Sequence, residues 1–347
     1  MQYIRTKQFS IMRKIQRSCA IKKKINIRRN NLKKSKQPKY HKHKQSYLPN
    51  PYEKYKMSLS GDFRLLYNTD YVIRSINEIT DFSQRYGKYK IILDMSEIRY
   101  LDVGAIGLLL SAINTLSKSN CLVYGNIPNK DECKQLFYDS GFLDHVSIIQ
   151  GKKPKRDTRN LMIEKGFDKT SNLRIGKEVR NAVNHLTGSE ESYRPVYGII
   201  QEMCANSIEH ANQKRRHKNW LMSTYYSEDK VIFTMTDIGS GILGTLKKKF
   251  LQIPRDIFAD SIQVLEGVFD KKYQSSTFDK NRNKGLPKIK EANTKKYIEN
   301  LKVITNNVFL NFDEPSISKV LATKLRGTFY YWELTNKAIL QWKQRMN

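Results

Sequence analysis

Within "YGIIQEMCANSIEHAN" (residues 197–212), Glu202, Asn206 and His210 stand four residues apart. On a helix that spacing places an acid, an amide and an imidazole along one stripe. A carboxylate there can orient and deprotonate water or a hydroxyl. An amide oxygen can ligate a hard cation that keeps most of its waters, without adding negative charge. Further along, "DIGSGI" (237–242) ends a strand-like run in an acid and two glycines. "NKGLPKIKE" (283–291) sets one glycine among lysines. Glycines let a backbone approach a bound group with no Cβ in the way, and N–H groups at a helix start can hold phosphate. Taken singly, each pattern has a plainer reading. Polar residues four apart usually mark a solvated face, and Asp with glycines after a strand is commonly a turn.

The elements that must position these residues are legible. Val196, Ile199, Ile200, Met203, Cys204, Ser207, Ile208 and Ala211 recur at three-and-four spacing, which predicts an amphipathic helix beside the polar stripe. In "DKVIFTMTDIGSG" (229–241), Ile232, Thr234 and Thr236 alternate with Val231, Phe233 and Met235, as in a strand. "LKVITNNVFLNF" (301–312) and "RGTFYYWEL" (326–334) predict two more strands, and "NKAILQWKQRMN" a closing helix. Helices followed by consecutive strands suggest an α+β layer with an antiparallel or mixed sheet. Upstream, strand (89–96), helix (105–119), strand (120–126) and helix (129–146, with Asn129 as its cap) predict a small parallel α/β layer. The charged break "GKKPKRDTRN" (151–160) separates the two parts.

Charge is unevenly spread. The chain of 347 residues carries +30, and residues 1–57 hold about eighteen Lys or Arg against one acid, Glu53. That segment lacks the hydrophobes for a core. It reads as a solvated extension, with Met57 as an alternative start, or as an electrostatic tether to nucleic acid or an anionic membrane. No aromatic–basic platform accompanies it. No run of eighteen apolar residues predicts a membrane span, and the first thirty residues lack a signal peptide's apolar block. Cys19, Cys121, Cys133 and Cys204 lack metal-site spacing and suit a reducing cytoplasm.

The three motifs, in this order, resemble the nucleotide site of the GHKL ATPases, which include type II topoisomerases, heat-shock chaperones, mismatch-repair ATPases and histidine kinases. The E-x-x-x-N-x-x-x-H helix looks most like the anti-sigma-factor-kinase branch, and "RGTFYYWEL" looks like that domain's last strand. The resemblance covers about residues 175–335 and implies ATP with Mg2+. It implies Glu202 as general base, Asn206 as the metal ligand, and Asp237 as the acceptor that selects adenine. Gly239, Gly241 and Ile242 would form the turn beside the base, and Lys284, Gly285 and Leu286 the phosphate loop. Asn283 stands where a glycine is common, and Asn tolerates left-handed backbone. Residues 243–282 take the place of the lid. His210 would pack or hydrogen-bond outside the chemistry.

"IILDMSEIRYLDVGAIGLLLSA" similarly resembles the central element of STAS (anti-sigma-factor-antagonist) domains, over roughly residues 58–150. Asp102 and Gly107 match that family's turn, but Val103 and Gly104 replace its two serines, so the usual phosphoacceptor is absent. Asp102 is expected to cap the following helix. The fold expected is therefore an α/β, STAS-like domain (58–150) behind a basic tail (1–57). A linker (151–174) and a GHKL α+β sandwich with a mixed sheet (175–347) follow. The function implied is a cytoplasmic, ATP-binding regulatory protein, working as a nucleotide-gated partner switch or a protein serine kinase. Its partner would be a STAS-like or sigma-factor-like protein or the chain's own N-terminal domain. The alternative is a nucleic-acid-associated GHKL ATPase that dimerises with ATP and uses residues 1–57. A sensor histidine kinase fits poorly, since His185 lies near a helix end and no membrane span precedes it.

Overall fold

The computed structural model describes residues 54–86, 90–118, 121–147, 159–164, 172–210, 220–249, 260–272 and 285–346. The basic segment before residue 54, Cys19, and Asn283 and Lys284 of the glycine loop lie outside them.

The first sheet is parallel and follows chain order: β1 (Lys54–Phe63), β2 (Lys90–Leu101), β3 (Leu122–Gly125). Helices α1 (Thr69–Tyr86) and α2 (Val103–Lys118) make the two crossovers, and α3 (Asp131–Asp139) follows β3. This is the parallel layer that the strand–helix alternation predicts. The strand β1 corrects the expected tail, whose last residues, Lys54 to Met57, belong to the sheet. Helix α3 begins two residues after Asn129, and its N-cap is Lys130, without a side-chain cap. The Asn129 N–H instead donates to Ser96 O (3.1 Å).

The second sheet has five strands in the order β4 (Leu161–Glu164), β5 (Trp220–Tyr226), β6 (Lys230–Asp237), β8 (Lys319–Thr335), β7 (Glu299–Asn311). Every pairing in it is antiparallel, so the mixed sheet expected is corrected. Strands β6 and β7 run parallel to each other with β8 paired between them, so the crossover that joins them puts no two parallel strands side by side. Strand β4 lies inside the segment 151–174 that the sequence suggests is a linker. Helices α4 (Asn172–Thr187), α5 (Arg194–His210), α6 (Gly241–Lys249), α7 (Ser261–Phe269), α8 (Gly285–Thr294) and α9 (Asn336–Met346) complete the described elements.

Both faces of this sheet are buried, and period two divides its residues between two cores. Val231, Phe233, Met235, Tyr330, Trp332 and Leu334 pack with α4, α5, α7 and α8. Leu221, Ile304, Leu325, Phe329 and Tyr331 face the other way, into the core shared with α1, α2 and the parallel sheet. Helices α1 and α2 thus lie between the sheets. Helix α2 approaches closely because it carries glycines there. A Cβ on Gly104 would stand 3.0 Å from the Phe329 ring, and one on Gly107 3.6 Å from Thr234 Oγ1. The contact is also fastened at polar points. The Thr323 N–H donates to Asp70 Oδ1 (2.6 Å), Asn77 Nδ2 to Lys324 O (2.9 Å), and Arg326 pairs with Asp81. Buried Asn160 bridges Asp139 O (2.9 Å) and the Tyr226 N–H (2.7 Å). Residues 50–347 accordingly form one compact unit.

No described helix is long and apolar enough to cross a membrane. Cys121, Cys133 and Cys204 are buried, and burial pushes the Cys204 thiol up to about 12.

Candidate functional site

The helix α5 buries the apolar stripe read from the sequence. Val196, Ile199, Ile200, Met203 and Cys204 are within 2 % of full burial and join the larger core. Each such side chain removed from water contributes on the order of 2 kcal/mol, so the helix face is fixed. That leaves Glu202 and Asn206 half-buried along its edge. Of His210, the last helical residue, only the backbone is described.

The second motif meets α5 through Ser207. Ser207 Oγ lies 3.1 Å from Asp237 Oδ2 and 2.9 Å from Met203 O. The other carboxylate oxygen, Oδ1, accepts from the Thr328 N–H at 2.7 Å. Burial raises the Asp237 carboxyl to about 6, against the pull of these two donors. One serine proton cannot serve both of its acceptors. Each Asp237 oxygen keeps an unused lone pair for a further donor.

The third motif meets α5 through Glu202. Lys288 pairs with Glu202 Oε1. Gly285, the first residue of α8, lies so near that a Cβ there would stand 2.7 Å from Glu202 Oε2. One helix edge therefore touches Asp237 at one turn and Gly285 with Lys288 at another. Asn206 sits between these contacts, and its Nδ2 is buried without a hydrogen-bond partner among the described residues. Such an amide retains hydrogen-bonding capacity that the protein itself does not use.

The glycine turn is held by residues the sequence reading did not single out. The Ile242 N–H donates to Thr305 Oγ1 (2.9 Å), and the Gly244 N–H to Asn306 Oδ1 (3.1 Å). Asn306 Nδ2 donates to Ser240 O (2.9 Å). Gly241 has φ +70, and the space a Cβ would take is filled by the Asn306 amide. That glycine serves the packing of the turn. Gly239 does face open space, with nothing within 4 Å of a Cβ position. Ile242 and Leu286 pack their side chains against the larger core. At Gly327, φ is +128 and a Cβ would fall 2.0 Å from Asp237 O. Only glycine lets β8 pass that close. Thr305, Asn306 and Gly327 lie 60 to 90 residues from the turn they hold, and nothing local marks them.

The packing bears on three further expectations, and changes the first. Within the expected lid, α7 is part of the core: Val264, Leu265 and Phe269 are buried, and Phe269 sits edge-on against Phe312 with centroids 4.9 Å apart. His185 is a structural residue, with Nε2 2.6 Å from Ser227 O and its ring edge-on to Tyr226. The Asp102 cap is present: Oδ1 accepts from the Ala105 N–H at 2.7 Å and Oδ2 from the Leu66 N–H at 3.2 Å. Burial raises its carboxyl above the ordinary value.

No group of three or more His, Cys, Asp or Glu among the described residues could cage a metal. A hydrated Mg2+ needs only one or two protein oxygens beside a substrate's phosphates, and the Asn206 amide suits that arrangement. No protein-family model, characterised protein or solved structure matches the chain.

Proposed function

We propose that the edge of α5, the turn 237–242 and the start of α8 form a magnesium–ATP site of the GHKL type. The observation carrying this reading is the convergence of three motifs, remote in sequence, on one helix edge: Asp237 through Ser207, and Gly285 with Lys288 through Glu202. In this reading Asp237 accepts from the adenine amino group, and Gly239 leaves the base its room. Asn206 supplies the single protein oxygen to the cation, and Glu202 is the base. Lys284 would stand in the phosphate loop. Bound ATP supplies the transferable phosphoryl group. The protein's own part is to orient and to hold protons. Lys288 is paired with Glu202, so base action requires that ion pair to open.

The regulatory half of the reading follows from the buried turn. The segment 102–107 has no hydroxyl at the STAS phosphoacceptor positions, and Gly104 lies against Phe329. Phosphorylation of that turn by the same chain is therefore not part of the proposal. A nucleotide-gated switch, in which the STAS-like lobe is a built-in partner of the ATP site, fits better than a kinase acting on its own lobe.

Calorimetric titration with MgATP tests the site. Wild type should bind, Asp237→Asn should lose most of the affinity, and Glu202→Ala should bind but release no phosphate. A wild-type chain with no measurable affinity for MgATP would sink the reading.

A further inference from the structure

A second concave site lies far from these motifs along the chain, at the carboxyl ends of the parallel strands. Strands β1 and β2 end at Phe63 and Leu101 and run in the same direction. A crevice lies beside these strand ends, lined by Arg64, Arg99, Tyr100 and Leu101. Here the crevice has a volume of about 410 Å3, within the usual range for a small-molecule site. Its lining includes Leu101, Cys133 and Leu136 with Tyr225 from β5. Its rim is charged in both senses: Arg64, Arg99 and Lys130 on one side of the count, Glu132 and Asp139 on the other.

Tyr100 lines this crevice, and Tyr67 adjoins it through Arg64. Tyr67 is 71 % exposed and Tyr100 50 % exposed. The Arg64 guanidinium lies 4.3 Å from the Tyr67 ring centroid and 4.8 Å from that of Tyr100. Lys130 Nζ is 4.7 Å from the Tyr100 centroid. Arg64 is held in place by Asp62, through Nε to Oδ1 (2.8 Å) and Nη2 to Oδ2 (2.6 Å). Lys130 is paired with Glu132 (2.6 Å), and Asp139 Oδ2 accepts from Gln135 Nε2 (2.9 Å). Arg99, also exposed, has no ion-pair partner among the described residues. The result is an aromatic–cation ladder with one unpaired cation beside it.

We infer that this cleft binds a nucleotide unit: a base stacked on the tyrosine–arginine ladder, its phosphate met by Arg99. Both signs of charge have a use in that arrangement. A phosphate seeks the guanidinium, while the exposed Glu132 carboxylate accepts from base N–H groups, as acidic side chains do from cytosine. Two neighbouring exposed rings suit successive bases of a single strand, since stacking tolerates any base. A net charge of +30 draws such a polyanion toward the chain. The same chemistry could come from a free mononucleotide, and the test separates the two sources.

The full-length chain is titrated with a fluorescent single-stranded 12-mer carrying 4-thiouridine, followed by photocrosslinking and peptide mapping. Crosslinks are expected in peptides bearing Tyr67 or Tyr100. The double variant Tyr67→Ala, Tyr100→Ala should bind roughly tenfold more weakly with its salt dependence unchanged. Arg99→Glu, at an exposed unpaired position that spares the fold, should weaken binding and lower the salt slope by about one. Asp237→Asn should leave strand binding unchanged, which separates this site from the proposed ATP site. Competition by millimolar GMP against the 12-mer identifies a free nucleotide as sufficient, whereas no competition assigns the site to a strand. Crosslinks confined to residues 1–57, or wild-type affinity in both the tyrosine double variant and Arg99→Glu, overturn the inference.

Discussion

Asp237 is held by the main chain of one strand and the hydroxyl of one helix, yet burial raises its carboxyl to about 6. A carboxyl whose folded value lies above its unfolded one, 3.8, binds more protons when folded. Stability therefore falls as pH rises through roughly 4 to 6, and the cost stays fully present above that window. Two units correspond to about 3 kcal/mol. Asp237→Asn keeps an acceptor for the Thr328 N–H and carries no charge. We expect it to flatten the pH dependence of thermal unfolding between pH 4 and 6 and to raise the melting temperature at pH 7. In the proposed function it also loses most of its MgATP affinity, so stability and affinity move in opposite directions. Lys288→Ala should behave differently. A half-exposed ion pair contributes about 0–1 kcal/mol, so chemical denaturation should barely change, while MgATP affinity falls several-fold. The spacing of Glu202, Asn206 and Asp237 was readable in the sequence because it follows local periodicity. Ser207 was readable only as a small residue on a buried face, since its bond to Asp237 spans thirty positions.

The strand β8 and the turn at 237–242 fit each other through Gly327, where φ is +128 and a Cβ would collide with Asp237 O. Gly327→Ala must displace one of two paired strands, and we expect a loss of about 3 kcal/mol or more in denaturant unfolding. Gly285→Ala is expected to act locally: its Cβ must push the Glu202 carboxylate aside, so unfolding changes little and the Lys288 pair loosens. A crystal structure of the variant checks that displacement. The helices α2 and α5 and the strands β2, β6 and β8 were legible because burial imposes their periods. Strand β1 was not, although "KYKMSLSGDF" alternates Met57 and Leu59 inward with Lys56 and Ser58. Its lysines merge with the basic run before it, and charge concealed period two. The Asn306 residue, at φ +54, was equally hidden, because its value lies in bonds to a turn more than sixty residues away. The aromatic–basic rim was hidden for the same reason, since Tyr67, Tyr100 and Lys130 meet only in the fold.

At the scale of the molecule, the parallel lobe covers a whole face of the antiparallel sheet. Phe309, Leu321 and Phe329 of that sheet are within 4 % of full burial there. Residues 159–347 produced alone would expose this apolar face and should self-associate, as light scattering would reveal. The intact chain should unfold in one calorimetric transition shared by both lobes, and Phe329→Ala should shift that single transition by a loss of about 3–5 kcal/mol. A second, separate transition would show that the shared core is not cooperative. The seventeen residues of β8 bear on both halves: Thr323 and Arg326 grip α1, and Thr328, two positions on, holds Asp237. The contacts that hold the carboxylate and those that hold α1 thus lie on one continuous backbone, five positions apart from Thr323 to Thr328, so neither lobe is anchored independently of the other.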